Sequence, residues 1–489
     1  MDQRLTILAV AALLVTAGCA APMAEDAGEP LEDDELGVVN GYAYDDELDL
    51  DWEAGLTQAE LEAVTYRAMA RLEVLRERPF ERDVDVEVMD RETARERFAI
   101  EDEASAAENE FWRAAFVVDE ETDVNEARGE LLGEAVAGFY TSDRIVIVVA
   151  DTDRSHPNRD TLVHELVHAL QDQHFGLDRP GETWDAQLAN GGILEGEADY
   201  LPIRYAERCD VEWQCIPPEP PEHAQPDGPE SVNVGLLLAL LVQYAEGVSF
   251  VAELYDRGGW AAVDAAHAEK PSSTSQLIHH DRYPDHEPRA VAVPDESTDA
   301  WVPMTEGENG EPIEETVGEG TLFAALYGQG VVDRSVGEGA TPPGTLNYSY
   351  PATDGWEGDT LVAYERADGE TAHVWYLEWS SEGDAAAFAD AYRAMLAEND
   401  AIEHTDGVYE IETPPFAGAY SVSVEGDRVA IVNAPTVAEL GAVHEPAAVE
   451  TPTAAVAPGA MTVDSPVETT AGGSVAVGSI NASGASVVG

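Results

Sequence analysis

Positive charge is scarce in this chain of 489 residues, which has 25 lysines and arginines against 98 aspartates and glutamates and a formal net charge of −73. This balance excludes nucleic acid as a natural partner, because the phosphate backbone would be repelled. It favours a halophilic protein, since concentrated salt screens the self-repulsion of the acidic surface. A hydrophobic content of 44% with nine tryptophans argues against general disorder and predicts a sizeable core.

Cysteine is equally scarce, with three residues. Cys19 follows Thr-Ala-Gly at the end of an apolar N-terminal stretch, which predicts a lipoprotein signal peptide over residues 1–18 and a lipid on Cys19. We therefore expect anchorage to the membrane at the extracellular face of the cell, with secretion after ordinary cleavage as the alternative. In that oxidising setting Cys209 and Cys215 are predicted to form a disulfide.

Long apolar runs are absent after the signal peptide, so no further membrane span is predicted. Residues 236–242 are apolar, but the run is short and has polar residues on both sides. We interpret it as part of a core helix.

One stretch, residues 160–171, contains the motif HExxH. On a helix, His164 and His168 lie one turn apart on one face and can both reach a single tetrahedral zinc ion, with Glu165 beside the attacking water. Apolar residues at helical spacing predict that this helix is buried, and Asp160 is its expected N-cap. The alternative is a buried helix with two incidental histidines.

A second acidic stretch, residues 192–200, offers a third ligand. Glu195 and Asp199 are again one helical turn apart. On a second helix packed against the first, Glu195 would complete a site of two histidines and one glutamate, and Asp199 would accept the free ring N–H of a ligand histidine. Glu197 points elsewhere on that helix. The alternative is a solvated acidic turn in a very acidic protein.

The sequences HELVHALQDQHF and LEGEADY resemble the gluzincin clan of zinc metallopeptidases, and within it haloarchaeal surface lipoproteins and their bacterial relatives. The resemblance implies a zinc ion on His164, His168 and Glu195, with Glu165 as general base. It also implies that the strand upstream of the metal helix lies at the rim of the cleft and pairs with an extended peptide. Residues 138–144 are the candidate for that strand, and an ordinary core strand is the alternative.

In the same resemblance, an element with the pattern Pro-x-Ser-Thr-x-Gln-x-x-His matches residues 271–279. It implies that His279 stabilises the oxyanion, a role for which Tyr283 and His280 are rivals. Most such relatives have proline where this chain has His280, which leaves open which of these side chains faces the site.

The fold class predicted is α+β, with a zincin-like metallopeptidase domain of mixed sheet and active-site helices and a smaller C-terminal α+β domain. Asn347 and Asn481 begin predicted glycosylation triplets. The predicted order is a signal peptide (1–18), an acidic linker (19–55), a zinc metallopeptidase domain (56–290), a connector (291–316), an accessory domain (317–437) and a disordered tail (438–489). Periodicity predicts helices over 59–77 and 382–398, a turn into a buried strand over 139–149, and strands over 84–88, 360–364, 372–379, 408–412 and within 420–432.

The expected function is zinc-dependent hydrolysis of peptide or protein substrates, with Glu165 passing a proton from the attacking water to the leaving amine. Two alternatives remain. One is a cell-surface binding or envelope protein with a structural or inactive zinc site, although such a site does not need Glu165. The other is zinc-dependent hydrolysis of a non-peptide amide or ester.

Overall fold

Capping residues determine where the helices begin. In the computed structural model, which describes residues 30–31, 35–100, 102–141, 144–209, 211–218, 232–306 and 310–445, Thr57 and Glu60 form a capping box at the first long helix. The helix that carries HExxH starts after Asn158, whose Oδ1 accepts a hydrogen bond from the Thr161 N–H at 3.0 Å. The prediction of Asp160 as N-cap is wrong, because Asp160 already lies in the first turn.

The predicted helix over 382–398 is confirmed, and the one over 59–77 differs by one residue at each end. The helices of the described residues are α1 (Gln58–Arg76), α2 (Arg91–Phe98), α3 (Ala106–Ala114), α4 (Val124–Ala135), α5 (Arg159–His174), α6 (Trp184–Ala206), α7 (Val234–Gly258), α8 (Trp260–Ala268), α9 (Thr274–Ile278), α10 (Gly318–Gly328), α11 (Glu382–Glu398) and α12 (Leu440–Val443), with a 3-10 turn at Trp52–Ala54. The strands are β1 (Val38–Val39), β2 (Tyr42–Ala43), β3 (Asp85–Met89), β4 (Gly138–Thr141), β5 (Arg144–Val148), β6 (Trp301–Pro303), β7 (Thr305–Glu306), β8 (Glu311–Pro312), β9 (Glu314–Glu315), β10 (Trp356–Arg366), β11 (Thr371–Trp379), β12 (Ile402–Thr405), β13 (Val408–Ile411), β14 (Gly418–Glu425) and β15 (Arg428–Ala434).

A mixed sheet of order β3-β5-β4 packs against α5. Strands β3 and β5 are parallel, and the crossover between them contains α2, α3 and α4. Strands β4 and β5 form an antiparallel hairpin with Gly138 opposite Ile147. The predicted turn and strand over 139–149 are therefore two strands, and β4 is an edge strand of this sheet among the described residues, as is β3.

The C-terminal strands form an antiparallel sheet of order β12-β13-β14-β15-β11-β10-β6, with β9 also paired to β10. The model thus confirms the α+β class. The prediction of 291–316 as a connector outside the domains is wrong in part, because β6 and β9 from this segment belong to the sheet. The predicted disordered tail starts too early, since Leu440 and Val443 of α12 are buried. Residues 446–489, with Asn481, lie outside the described residues.

Residues 35–55, predicted as part of an acidic linker, are folded against α1. The Gly37 N–H donates to Glu73 at 2.7 Å, and Arg71 Nε donates to the Tyr44 carbonyl at 2.8 Å. Charged side chains of α1 therefore hold backbone groups of this segment, and the acidic composition of the segment does not reveal such long-range contacts. The predicted signal peptide over 1–18 and Cys19 lie outside the described residues.

Helix α7 is long and apolar enough to cross a membrane, so the prediction that no such segment follows the signal peptide is wrong. However, 89% of its most apolar window is buried inside the structure, as expected for a core helix. It crosses α6 at glycines. A Cβ atom on Gly196 would lie 2.2 Å from the Gly247 carbonyl oxygen, and one on Gly247 would lie 2.4 Å from the Gly192 oxygen. The two helix backbones therefore touch.

The apolar core consists mainly of two clusters. One surrounds α5 and includes Leu166 together with Met69 of α1. The other joins Leu236 of α7 to Phe323 of α10 and Trp375 of the C-terminal sheet. The C-terminal sheet therefore shares its core with α7, which the sequence analysis assigned to a different domain.

Candidate metal centre

Three buried side chains converge between α5 and α6. The Nε2 atoms of His164 and His168 lie 3.1 Å apart, and Glu195 Oε2 lies 3.1 Å from His168 Nε2 and 3.5 Å from His164 Nε2. A tetrahedral zinc ion with ligand bonds of 2.0–2.2 Å separates its ligand atoms by about 3.3–3.6 Å. The three predicted ligands are thus brought to spacings that a single metal ion requires, and their exposed fractions are only 8%, 4% and 1%.

The outward nitrogens of both imidazoles are hydrogen-bonded. His164 Nδ1 donates to Asp199 Oδ1 at 2.9 Å, the contact predicted for Asp199, and His168 Nδ1 donates to Gln171 Oε1 at 2.9 Å. Protons on the Nδ1 atoms leave the Nε2 lone pairs directed at the point where the three side chains meet. This donor set fits a divalent metal of the zinc type.

The third ligand is held ionised. Burial alone would raise the pKa of Glu195, but the charge of His168, hydrogen bonds with both candidate histidines and the charge of Arg179 lower it well below its ordinary value. Arg179 NH2 donates to Glu195 Oε1 at 2.6 Å, and its NH1 donates to Gln243 Oε1 at 2.7 Å. One carboxylate oxygen is therefore held by Arg179, while the other faces the histidines.

Between Glu195 and Asp199, the residues Gly196 and Glu197 make structural contacts. Glu197 points away from the metal ligands and pairs with Arg76 and with His267 Nε2, the latter at 2.6 Å. Gln171 Nε2 also donates to Glu197 Oε2, at 2.9 Å. Gln171 therefore links the two faces of this helix, since its side-chain oxygen holds His168 and its amide nitrogen holds Glu197. Gly196 between the two glutamates lies at the contact with α7.

Glu165 is buried beside the ligands, and its Oε2 atom has no hydrogen-bond partner among the described residues. Burial raises the pKa of Glu165 to about 7, with the nearby carboxylates adding to the effect and the two ligand histidines opposing it. A Cβ atom on Gly138 would lie 3.2 Å from Glu165 Oε1 and 2.8 Å from Thr161 Cγ2, so β4 passes close to this carboxylate. A buried carboxylate with an unbonded oxygen and a pKa near neutrality can exchange a proton with a substrate or water.

A cavity of about 630 Å³ opens beside these groups. Its lining includes His164, Glu165 and Asp199, so the candidate centre is reachable from the cavity. Most of the remaining walls are apolar. They consist of Ala137 and Gly138 from the β4 edge, Pro202, Ile203 and Ala206 from α6, Leu241, Tyr244, Ala245 and Val248 from α7, and Pro343, Thr345 and Leu346 from a downstream loop, with Asp160, Thr161 and Glu207.

The predicted oxyanion residues lie elsewhere. His279 Nε2 donates to Glu319 Oε1 at 2.7 Å, and the Tyr283 hydroxyl donates to the Glu269 carbonyl at 2.7 Å. His280 lies edge-on to Phe250, with ring centroids 6.0 Å apart. The described residues that line the cavity do not include His279, His280 or Tyr283.

Two further residues at the centre were missed by sequence reasoning. Tyr244 lines the cavity, and its ring stacks with that of His164 at a centroid distance of 6.4 Å. Arg179 lies in the loop between α5 and α6 and contacts Glu195. No spacing rule relates either residue to HExxH, because both arrive by tertiary packing. The sequence gives no signal for Tyr244, and the signal for Arg179 is that it is a cation in a strongly anionic chain.

Two predictions outside the centre fall on described residues. Cys209 and Cys215 form a disulfide with an S–S distance of 2.11 Å, just after α6 ends. Asn347 Nδ2 donates to the Glu338 carbonyl at 3.0 Å, and its Oδ1 accepts from the Ser349 N–H at 3.0 Å. Glycosylation of Asn347 stays a prediction.

Comparison with known proteins gives one match. Residues 304–444 match the family model described as a domain of unknown function, DUF8575. This stretch contains the separate β7-β8 pair, α10 and the C-terminal antiparallel sheet except β6, and it does not include HExxH or Glu195. No curated protein and no solved structure matches the chain.

Proposed function

We propose that this protein is a zinc-dependent peptidase. The observation that carries the proposal is the convergence of His164, His168 and Glu195 next to a buried glutamate with an unbonded oxygen, all beside one cavity. Zinc held by these three residues would supply Lewis acidity toward water and a carbonyl oxygen. A purely structural site would need neither the cavity nor Glu165.

Residues of the chain supply the proton transfers, the orientation of the histidines and the contact with the oxyanion. Glu165 takes the proton of the attacking water and passes it to the leaving amine, and its Oε2 atom, which has no described hydrogen-bond partner, is available for both transfers. Asp199 and Gln171 keep the imidazoles oriented with their Nε2 atoms toward the centre. Tyr244 lines the cavity and replaces His279 and Tyr283 as our candidate for contact with the oxyanion.

Strand β4 is the proposed binding edge for an extended peptide. It is one of the two edge strands of its sheet in the part of the chain that the structure describes, and Gly138 at its start lines the cavity. Backbone pairing along such an edge would hold a peptide regardless of its side chains. The close approach of Gly138 to Glu165 would then bring the peptide backbone near the general base.

An extracellular setting and a lipid on Cys19 are part of the proposal. The disulfide between Cys209 and Cys215 supports an oxidising compartment. Mass spectrometry of the membrane fraction from a native-like host checks the lipid, and a mature chain without a diacylglyceryl group would remove this part.

The test of the proposal measures bound metal and peptide cleavage for the wild type and Glu165→Gln, side by side in molar salt. We expect one zinc per chain in both proteins and cleavage only by the wild type. An absence of zinc from the wild type would refute the centre. One zinc in both proteins without cleavage of any peptide would favour a structural site or a non-peptide amide or ester.

A further inference from the structure

The stretch matched by DUF8575 supplies one wall of the cavity that holds the candidate centre. Pro343, Thr345 and Leu346 line this cavity together with residues of α6 and α7. We call residues 343–346 the wall segment. Its residues lie far along the chain from HExxH, so their contribution depends on how the segment is fixed in place.

The wall segment is fixed to α7 at its N-terminal side. Ser249 Oγ donates to the Thr341 carbonyl at 3.1 Å. A Cβ atom on Gly344 would lie 2.3 Å from Ser249 Oγ and 3.2 Å from the Ala245 carbonyl oxygen, so only glycine allows the backbone to lie this close to the helix. Ala245 is itself a lining residue.

The C-terminal side of the wall segment is anchored by buried hydrogen bonds. The Tyr348 N–H donates to Glu246 Oε1 at 2.7 Å, and the Tyr348 hydroxyl donates to the Leu238 carbonyl at 2.7 Å. Arg334 NH2 donates to the Asn347 carbonyl at 2.8 Å. A segment held on both sides keeps its shape when a ligand enters, and this is what a selective pocket wall requires.

The chemistry of the lining indicates what the wall segment would contact. Four lining residues are acidic, Asp160, Glu165, Asp199 and Glu207, and no described lining residue is a lysine or an arginine. The other walls are mostly apolar, and a volume of about 630 Å³ is within the range of about 300–1,000 Å³ typical of ligand pockets. The cavity therefore suits an apolar side chain of a peptide and disfavours an acidic one.

The geometry points to a role for the wall segment as the element that sets side-chain size selectivity at the candidate centre, for peptides with an apolar residue next to the scissile bond. This inference rests on the proposed peptidase function. It assigns to the DUF8575 stretch a part in substrate recognition in addition to its structural packing against α7.

The test compares Leu346→Ala with Leu440→Ala. Both leucines are buried, at 5% and 4% exposure, and both lie in the matched stretch, but only Leu346 lines the cavity. Peptides that differ at one position, with alanine, leucine, phenylalanine or tryptophan, are assayed for kcat/KM. We expect Leu346→Ala to raise the tryptophan-to-leucine ratio about tenfold, and Leu440→Ala to leave it unchanged.

A second variant guards against loss of folding. Thr345 is exposed at the cavity, so Thr345→Trp fills space without disturbing the core, and Thr341→Trp is its control outside the lining. We expect Thr345→Trp to lower the phenylalanine-to-alanine ratio about tenfold. If both variants fold and both leave the ratios of the wild type unchanged, the inference is overturned while the peptidase stands.

Binding of uncleaved peptides separates the two proposals. Calorimetry in the Glu165→Gln background measures the dissociation constants of the same peptides with and without Leu346→Ala. Suppose that the wild type cleaves none of the peptides but Leu346→Ala still changes their affinity according to side-chain size. This result would support the role of the wall segment in selectivity and would refute the peptidase function. Absence of both cleavage and peptide binding would overturn both.

Discussion

The candidate metal centre and the N-terminus of α10 are both built around buried carboxylates, yet their hydrogen bonds differ in kind. At α10, Asp359 accepts from the Val317 and Gly318 N–H groups at 2.9 and 3.0 Å, and from the indole N–H groups of Trp356 and Trp375 at 2.9 Å each. Both oxygens are therefore bonded to protein donors. A carboxylate at a helix N-terminus is stabilised in this way, so Asp359 joins the sheet to α10.

At the candidate centre the hydrogen-bond donors point outward and the acceptors point inward. The Nδ1 protons of His164 and His168 are used by outer partners, while the Nε2 atoms and one oxygen of Glu195 face each other. Glu165 adds an oxygen without a described partner. Burial of acidic residues therefore does not by itself identify a site. The informative property is a set of acceptor atoms from three side chains that converge on one point.

The largest expected effect is on metal binding, from Glu195→Gln. Removing a ligand charge should weaken zinc binding by more than the about 10–100-fold that loss of an outer partner causes. Glu197→Gln is the matched control, because Glu197 is equally buried two positions along the same helix and pairs with Arg76 and His267. Chelator competition in molar salt should separate the two variants. Equal zinc affinities would contradict the assignment of Glu195.

At α10, Asp359→Asn should lower the free energy of unfolding by about 3 kcal/mol and leave zinc affinity unchanged. The amide keeps one acceptor oxygen but turns an N–H₂ group toward donors that it cannot satisfy, and each lost buried partner costs about 1–3 kcal/mol. Denaturant unfolding followed by tryptophan fluorescence measures the change. An unaltered unfolding midpoint would mean that the Asp359 hydrogen bonds contribute little.

A smaller effect on the centre is expected from Arg179→Met. Loss of the guanidinium leaves one oxygen of Glu195 without its hydrogen bond, so zinc affinity should fall about tenfold, as for other outer partners. Arg204→Met is the control, since Arg204 has similar exposure, 26% against 28%, and bonds to Tyr200 on α6 instead. If both arginine variants bind zinc like the wild type, Arg179 has no positioning role.

A further effect is a dependence of stability on pH at α10. Burial raises the pKa of Asp185 to about 8, with the Asp359 and Glu319 charges adding to the rise against hydrogen bonds from Thr274. The folded state thus keeps a proton that the unfolded chain releases near pH 4. The contribution of this protonated carboxyl group to the free energy of unfolding is complete below pH 4 and is lost as the pH rises through about 8.

Asp185→Asn removes that dependence and is the way to measure it. Relative to the variant, the wild type should lose at most about 1.4 kcal/mol of unfolding free energy per pH unit between pH 4 and 8. Unfolding curves at several pH values, all in molar salt, give the slope. Parallel pH profiles for the two proteins would refute the raised pKa.

Local periodicity predicted which candidate ligands come together. The geometry of a helix brings His164 and His168 to one face, and the same spacing brings Glu195 and Asp199 to one face of the next helix. Whether two helices pack with these faces together is not local information, but the glycines at positions 192 and 196 indicate a close crossing. The predicted ligand set and the contact of Asp199 follow from these two facts.

Long-range packing explains what the sequence did not predict. Tyr244 lies within an apolar helix and resembles a core residue in sequence, whereas His279 lies in a polar segment and resembles a site residue. In the structure, the ring of Tyr244 stacks with His164, and His279 bonds to Glu319. Likewise, the short strands of residues 301–315 depend on pairing with β10, which no local pattern encodes.

The backbone contact between α6 and α7 has a practical consequence for engineering. Helix α6 carries Glu195 and α7 carries much of the cavity wall, and at Gly196 and Gly247 the two helices have no side chain between them to absorb a shift. Substitutions on α7 that shift this helix would therefore also move α6 and the Glu195 carboxylate. Such variants are expected to change selectivity and to weaken metal binding at the same time. The wall segment is also fixed to α7, by hydrogen bonds with Ser249 and Glu246, but the Thr345 side chain is exposed at the cavity. Libraries of variants at Thr345 can therefore change the pocket without moving the helix that carries Glu195.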